Sequence, residues 1–275
     1  MTFGSGDSDS FSFDGNTGRM TEYQYDVNGD VDAVTGALMW NTNGTLKQLA
    51  ITDALKSANT QTCNYTYDDL ARISSVGCNN WSQTFTIGAF GNVSYTGSNG
   101  GTSFQPVWQT SPSITNRIAT VGSPPNQQTY SYDSNGDLLS TGTGTGTSAY
   151  AWDADGNLVT ETPNGSGGHP RTYDAFDRMV EAGGSPVQFV YGPLGDKQAL
   201  MQGQTALQGR VPLPGGAVAQ YDNGTTLTYY WHSDWEGSVR FASTATSPTG
   251  TWMDSAYAPY GEQYALSGAN WAQFA

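Results

Sequence analysis

One short phrase recurs along this chain and constrains its fold more than any other feature. It consists of an aromatic or apolar residue, a spacer, Tyr or Trp, Asp, two variable positions, Gly, Asn or Asp, and an apolar residue. The three clearest copies are residues 23–31, 130–138 and 150–158. Looser copies, with Ala-Arg or Asp-Arg in place of the Gly pair, occupy 65–73 and 171–179, and degenerate ones occupy 39–46, 85–93 and 189–197.

The spacing of the copies predicts a repeat architecture. Asp133, Asp153 and Asp174 are separated by 20 and 21 residues, and regular periods of about 20 to 50 residues mark solenoids, propellers or arrays. In residues 130–138, Tyr130 and Tyr132 fall on one strand face, and the Asp that follows can bond its own backbone in a turn whose Gly tolerates positive φ. The repeat unit is therefore predicted to be a β-hairpin.

The repeat assigns structural roles to particular residues. The positions predicted to build the hairpin turns are Tyr25, Asp26 and Gly29, Tyr67 and Asp68, Tyr132, Asp133 and Gly136, Trp152, Asp153 and Gly156, and Tyr173 and Asp174.

Composition supports an all-β fold and limits the partners. The chain has 35 Gly, 16 Tyr, 10 Phe and 8 Trp, but only 12% charged residues, against roughly 25% in ordinary domains. The net charge of −14 would repel nucleic acid and anionic membranes. No apolar run approaches the roughly 20 residues needed for membrane insertion, and the first residues lack the regions of a signal peptide.

The two cysteines suggest an oxidising compartment. Cys63 and Cys78 flank the copy at 65–73, and the numbers 63 and 78 have the same sum as 70 and 71, the centre of its turn. A turn centred there places the cysteines opposite each other across the hairpin, which suits a disulfide. Two unrelated buried thiols are the alternative. A bridge would indicate a secreted or cell-surface protein.

The Tyr-Asp hairpins resemble the YD repeats of the RHS family, which includes the YD shell of the teneurins. The resemblance is most specific near the C-terminus. Residues 229–240 are similar to the family's His-x-Asp-x-x-Gly-Ser-x-Arg segment and residues 257–262 to its Tyr-Asp-Pro-Phe-Gly-Glu segment. The matching positions are His232, Asp234, Gly237, Ser238, Arg240, Tyr257, Pro259 and Gly261.

The resemblance implies a long curved sheet of antiparallel hairpins, an open segment of a β-solenoid shell. We divide the chain into a hairpin array at 1–228 and a truncated core-like segment at 229–275 that continues the same sheet. Open sheet edges invite pairing with another chain. The expected partners are therefore a second copy of this chain or the rest of a longer RHS polypeptide.

Two sets of residues also allow a chemical interpretation besides their structural one. The Asp-x-Asn-Gly-Asp and Asp-x-Asp-Gly-Asn stretches resemble the start of a calcium loop, but position 12 would be Ala37, Gly144 or Asn164, which cannot replace the bidentate Glu of an EF-hand. We therefore expect turns and no cofactor, with calcium as the alternative. His232, Asp234 and Glu236 alternate along an expected strand and could hold a metal or transfer protons, but a hydrogen-bonded His in the wall is the preferred interpretation.

No motif for acyl transfer, phosphate binding or zinc hydrolysis appears, so we expect no enzyme. The alternative function is an extracellular carbohydrate- or protein-binding adhesion module. Trp81, Trp108, Trp235 and Trp271 lie outside the strict repeat positions and are the candidates to face a glycan, whereas Trp152 takes the repeat Tyr position and is expected to be packed.

Overall fold

The computed structural model describes residues 1–27, 29–109, 116–143, 146–246 and 251–268, with side chains except at 30–32, 251–252 and 264–268. Strands and two short 3₁₀ turns, Ser57–Asn59 and Pro214–Gly216, make up the regular structure of these residues. The strands are β1 Ser8–Phe13, β2 Met20–Val27, β3 Asp30–Trp40, β4 Leu46–Asp53, β5 Gln61–Tyr67, β6 Ile73–Gly77, β7 Ser82–Ile87, β8 Val93–Ser98, β9 Pro106–Trp108, β10 Ile118–Val121, β11 Gln128–Tyr132, β12 Leu138–Thr143, β13 Gly146–Trp152, β14 Leu158–Thr162, β15 His169–Tyr173, β16 Met179–Ala182, β17 Val187–Tyr191, β18 Lys197–Gln202, β19 Thr205–Pro212, β20 Val218–Asp222, β21 Thr226–Ser233, β22 Val239–Thr244, β23 Thr251–Tyr257 and β24 Gln263–Gly268.

The strands follow one another in chain order within two sheets. One sheet has eight strands in the order β1 to β8, and the other has sixteen in the order β9 to β24. Sequential neighbours pair antiparallel, as in β11 with β12 and β13 with β14. The predicted all-β fold of repeated antiparallel hairpins is confirmed.

The chain divides into two compact units. Unit 1 comprises residues 1–85, 96–102 and 209–275, and unit 2 comprises 86–95 and 103–208. The division predicted from sequence, between 228 and 229, falls inside β21. The division into a hairpin array at 1–228 and a core-like segment at 229–275 stays a prediction, and it does not coincide with the two compact units.

Unit 1 contains a closed core. Tyr23, Tyr25 and Val34, from β2 and β3, pack in one cluster with Phe241 of β22, and each exposes 1% or less of its surface. The Tyr25 hydroxyl donates a hydrogen bond to the Ser233 carbonyl oxygen at 2.7 Å. Strands from the beginning and the end of the chain thus bury each other in this unit, and burial of such aromatic rings supplies most of the stabilising free energy.

Unit 2 has a different physical character. All the buried hydrophobic side chains of the described residues belong to unit 1. The aromatic rings of β11, β13 and β15 in unit 2 are half-buried or exposed. Exposed apolar side chains occur at turns of this unit, with Phe176 at 78% and Leu194 at 96%. The described part of unit 2 is therefore held mainly by sheet hydrogen bonds and contacts between neighbouring hairpins.

The cysteine prediction is confirmed. In the β5–β6 hairpin, Asn64 faces Gly77 and Tyr65 faces Val76, which is the register expected for a turn centred between 70 and 71. One step further out, Cys63 and Cys78 form a disulfide with their Cα atoms 4.0 Å apart. Among the described residues no cysteine is free.

Candidate functional site

The repeat Asp organises the turn of each hairpin. In the β11–β12 turn, Asp133 Oδ1 accepts hydrogen bonds from the amides of Gly136 and Asp137 at 2.8 and 2.9 Å. The Asp133 amide in turn donates to the Asp137 carbonyl oxygen at 3.0 Å. One carboxylate thus satisfies the amides that the turn leaves unpaired, which is why Asp is required at this position.

The same turn recurs at other copies of the repeat. The carboxylates of Asp68, Asp153 and Asp174 each accept the amides two and four residues ahead, at 2.8 to 3.1 Å. Where the sequence lacks the Gly, Ala71 and Asp177 take the left-handed conformation with φ of 59° and 58°. These turn roles were expected for Asp68, Asp133, Asp153 and Asp174, and the geometry places each residue in its turn.

Hydrogen bonding lowers the pKa of these turn carboxyls. For Asp133 and Asp153 the largest cause is the backbone amide four residues ahead. For Asp68 and Asp174 it is the side chain of the Arg that occupies that fourth position, at 2.6 Å in both pairs. The ionised form is the one that caps the turn, so the turn is strongest when the carboxylate carries its charge.

The repeat aromatic residue links one hairpin to the preceding one. It is the last residue of its strand, and it donates a hydrogen bond to the first carbonyl of the neighbouring strand. Trp152 Nε1 donates to Leu138 O at 2.7 Å, and the Tyr173 hydroxyl donates to Leu158 O at 3.0 Å. The other examples are Trp40 to Met20, Tyr67 to Leu46, Tyr191 to Met179 and Tyr257 to Val239. The repeat Tyr or Trp of one copy thus donates a hydrogen bond to the carbonyl oxygen of the apolar residue that ends another copy.

The copy at 23–31 departs from the predicted turn. Asp26 lies within β2, where its carboxylate accepts from Ser8 Oγ at 3.1 Å and from Gln24 Nε2 at 2.9 Å. Tyr25 is fully buried in the core of unit 1, while Gly29, at φ 77°, does lie in the turn between β2 and β3. The turn role predicted for Asp26 is wrong because burial of Tyr25 against the end of β21 extends β2 beyond the motif Asp. Asn28 lies outside the described residues.

The two core-like segments also contain repeat turns. Asp234 Oδ1 accepts the amides of Glu236 and Ser238, both at 3.0 Å, and Gly237 has φ 82°. β21 ends at Ser233, so the expected strand alternation of His232, Asp234 and Glu236 is wrong: His232 is in the strand and the two acids are in the turn. At residues 257–262, Pro259 and Gly261 occupy a turn in which the Gly261 amide donates to Ala258 O at 2.8 Å.

A buried ionic network surrounds Arg240. Its guanidinium pairs with Asp53 at 3.0 Å and with Asp254, and Asn59 Nδ2 donates to the second oxygen of Asp254 at 2.6 Å. Arg240 exposes only 2% of its surface. Burial acts to lower the pKa of Arg240, but the charges of Asp254 and Asp53 raise it overall. Burial, and then the charge of Asp254, raise the pKa of Asp53. The network ties β4, β22 and β23 together, and removing one partner would leave a buried charge.

His232 lies in a second buried chain of polar groups. Its Nδ1 is 2.6 Å from Asp9 Oδ1 and its Nε2 is 3.0 Å from Ser243 Oγ. The order carboxylate, imidazole, hydroxyl is that of a hydrolase triad. However, His232 and Ser243 expose 0% of their surfaces, so a substrate carbonyl cannot reach the hydroxyl. The chain acts as a hydrogen-bonded bridge between β1, β21 and β22.

A cavity of about 80 Å³ opens beside the Asp234 turn in unit 1. Asp234, Trp235, Glu236, Arg240 and Tyr65 line it together with aliphatic side chains. Partial shielding from solvent raises the pKa of Asp234 and of Glu236, although Glu236 as a whole residue is exposed, and the Asp234 charge adds to the effect on Glu236. No sequence signal marked this cavity, because its wall combines β4 and β5 with the 234–236 turn and residues 256–259.

The tryptophans proposed to face a glycan have different environments. Trp81 exposes only 4% of its surface, and its Nε1 donates to Gln61 Oε1 at 3.0 Å, so it is a core residue. Trp108 and Trp235 are half-buried, and Trp235 lines the cavity. Trp271 lies outside the described residues. Trp152 is half-buried with its indole nitrogen bonded to β12.

Within the described ranges, no group of three His, Cys, Asp or Glu side chains is placed to hold a metal ion. No helix in those ranges has the length and apolar character to cross a membrane. The calcium alternative for the Asp-rich turns stays a prediction.

Comparisons with known proteins agree with the repeat. The family model described as Teneurin YD-shell matches residues 104–192. A crystal structure of TcdB2-TccC3 is similar with a TM-score of 0.60 and 11% identity, over 99% of this chain and 16% of that chain. TcdB2-TccC3 without its hypervariable C-terminal region gives 0.61, 12%, 97% and 15%, and TcdB2-TccC3-Cdc42 gives 0.61, 12%, 99% and 16%.

The chain thus spans about one sixth of the length of these structures, and at such identity the likeness concerns the fold. No curated protein sequence matches the chain. The resemblance to the RHS/YD-repeat family is confirmed by the family model for residues 104–192, and the solved structures show a similar fold over nearly the whole chain.

Proposed function

We propose that this chain is a non-enzymatic wall segment of an extracellular YD-repeat shell. The observation that carries the proposal is the absence of buried hydrophobic side chains from the described part of unit 2. A sheet of hairpins without a core of its own is suited to be one layer of a larger wall. The family match and the structural neighbours support a shell or scaffold role.

The wall grows by strand pairing at its edges. β1 and β8 end one sheet, and β9 and β24 end the other. The bridge between Tyr95 and Phe104 covers part of β8, so β9 and β24 are the terminal strands proposed as the template for further strands. The proposed partners are the remaining strands of a longer polypeptide of this family or a second copy of the chain.

The setting of this wall is secreted or cell-surface. The Cys63–Cys78 disulfide suits an oxidising compartment, because cytosolic thiols are kept reduced. The net charge of −14 disfavours nucleic acid as a partner. A protein-binding adhesion role is the second candidate, favoured by the exposed apolar turn residues such as Phe176 and Leu194.

Light scattering combined with hydrogen exchange tests the wall proposal. We expect backbone amides of 118–208 to exchange faster than those of β2 to β4 in dilute protein, because the described part of unit 2 has no closed core. A mass that rises with concentration, with protection appearing at β9 or β10, would support pairing of copies. A constant mass with fast exchange in unit 2 would support completion by a longer polypeptide. A constant mass with equally slow exchange in both units would overturn the proposal.

A further inference from the structure

We propose that the cavity beside the Asp234 turn binds one pyranose ring of a carbohydrate. This site is separate from the wall role, since it lies wholly in unit 1 and needs no sheet edge. Four features of its wall support a sugar as the occupant: two carboxylates, an unpaired donor, aromatic rings and adequate volume.

The carboxylates supply acceptors for hydroxyl groups. Asp234 uses Oδ1 for the turn amides, and its Oδ2 has no hydrogen-bond partner among the described residues. The carboxylate of Glu236 likewise has none there, and the residue is exposed at the mouth of the cavity. Sugar hydroxyls donate to carboxylates in charge-assisted hydrogen bonds, which are stronger than neutral ones.

Arg240 supplies a donor that the protein leaves unused. Both of its terminal nitrogens are engaged by Asp53 and Asp254. Its Nε is buried and has no hydrogen-bond partner within the described chain, although the side chain lines the cavity. Because an unpaired buried donor is costly, an acceptor oxygen is the complement this site lacks. A simple ammonium ion would satisfy the carboxylates but not this nitrogen.

The aromatic side chains and the volume match a ring with C–H groups. Tyr65 and Trp235 line the cavity beside aliphatic residues of β4, and such mixed walls accept ligands that are polar on their edges and apolar on their faces. A cavity of about 80 Å³ exceeds the roughly 10–15 Å³ that one water requires. The enclosed space holds several water-sized groups, and the rest of the ring would extend through the open mouth beside the exposed Glu236.

Saturation-transfer NMR with simple sugars tests this assignment. The probes are glucose, galactose, mannose and N-acetylglucosamine, each as the free sugar and as the methyl glycoside, with glycerol as the polyol control. We expect transfer to the ring protons of at least one sugar and none to glycerol. Binding of a methyl glycoside would identify the end of a glycan chain as the ligand, and binding of only the free sugar would identify a monosaccharide.

A matched pair of variants separates the cavity from the turn. Glu236→Gln removes the charge at the mouth, and Asp155→Asn removes a charge at the same position of the β13–β14 turn in unit 2, away from the cavity. We expect Glu236→Gln to weaken binding about tenfold or more, the value of one hydrogen bond to a charged group. Asp155→Asn should bind as the unaltered protein does.

Three results would overturn the proposal. They are the absence of transfer to every sugar, equal transfer to glycerol, and equal weakening in the two variants. Both substituted residues are exposed, so both variants are expected to fold, and matching unfolding midpoints would verify it. A wall that failed to assemble would leave the sugar result unchanged, because the two measurements use different parts of the chain.

Discussion

Gly156 offers a direct measurement of the backbone strain that a repeat turn imposes. Its φ is 85°, and a Cβ added there would meet nothing within 4 Å. A methyl group therefore introduces strain without a steric clash. The left-handed conformation costs an L-residue about 1–2 kcal/mol, while restriction of the unfolded chain by Ala returns about 0.4–1 kcal/mol. We expect Gly156→Ala to lower the free energy of unfolding by about 1 kcal/mol, the difference between these contributions.

The matched control is Gly167→Ala in the same unit. Gly167 also has open space around its Cα, but its φ lies outside the left-handed region. This variant should gain about 0.4–1 kcal/mol from the unfolded state alone. The difference between the two variants isolates the conformational strain, about 1–2 kcal/mol.

Urea unfolding provides the global free energy, and hydrogen exchange of β13 and β14 provides the local one. We expect faster exchange in these strands for Gly156→Ala only. Equal midpoints and equal exchange in the two variants would refute the role assigned to this turn. The reverse substitution, Ala71→Gly at φ 59°, should stabilise the β5–β6 hairpin, since Gly removes the strain that Ala carries there.

Three further predictions address the other interactions of the repeat and the core. Tyr173→Phe removes the hydrogen bond to Leu158 O and should cost about 0.5–1.5 kcal/mol, whereas Tyr260→Phe, at an exposed ring, should cost nothing measurable by urea unfolding. Arg240→Met leaves the buried carboxylates of its two partners uncompensated and should cost about 3–5 kcal/mol; a loss below about 1 kcal/mol in fluorescence-monitored unfolding would contradict the buried network. The amide of Asn157 lowers the pKa of Asp153 in the folded state, so its contribution to stability is complete above the unfolded pKa of about 3.9 and is lost as pH falls through the folded value. Asp153→Asn should therefore flatten the acid limb of stability against pH, and an unchanged limb would contradict this assignment.

The local features of the fold were predictable because the repeat carries them within a few residues. A carboxylate that caps a turn two to four residues ahead needs only the Asp and a residue able to take positive φ, as at Asp133 and Gly136. The disulfide followed from the same logic, since the expected register holds from the Thr66–Ser75 pair out to Cys63 and Cys78, although a bulge at Thr66 and Tyr67 shifts the register next to the turn.

Long-range contacts were not predictable from the repeat. Asp53 and Arg240 are 187 residues apart in sequence, and neither has a local pattern that marks the other as its partner. At Asp26 the local motif and the long-range contacts favour different structures. The motif predicts a turn, but burial of the preceding Tyr25 against Ser233 keeps Asp26 in a strand. Trp81 was misplaced for the same reason: its position relative to the repeat did not reveal that Gln61 would bond its indole nitrogen in the core.

The hydrogen bonds from the repeat aromatic residues determine how far the loss of one such bond should destabilise neighbouring hairpins in unit 2. Trp152 bonds to β12, Tyr173 to β14 and Tyr191 to β16, so each hairpin is bonded to the one before it. Arrays whose repeats contact only their neighbours behave as nearly one-dimensional systems, in which stability is a sum of repeat and interface contributions. Loss of the Tyr173 hydroxyl should therefore speed exchange in the hairpins on either side of that bond, β13–β14 and β15–β16, and leave β11–β12 unchanged. Uniform acceleration across residues 118–208 would show instead that the unit unfolds as one cooperative block.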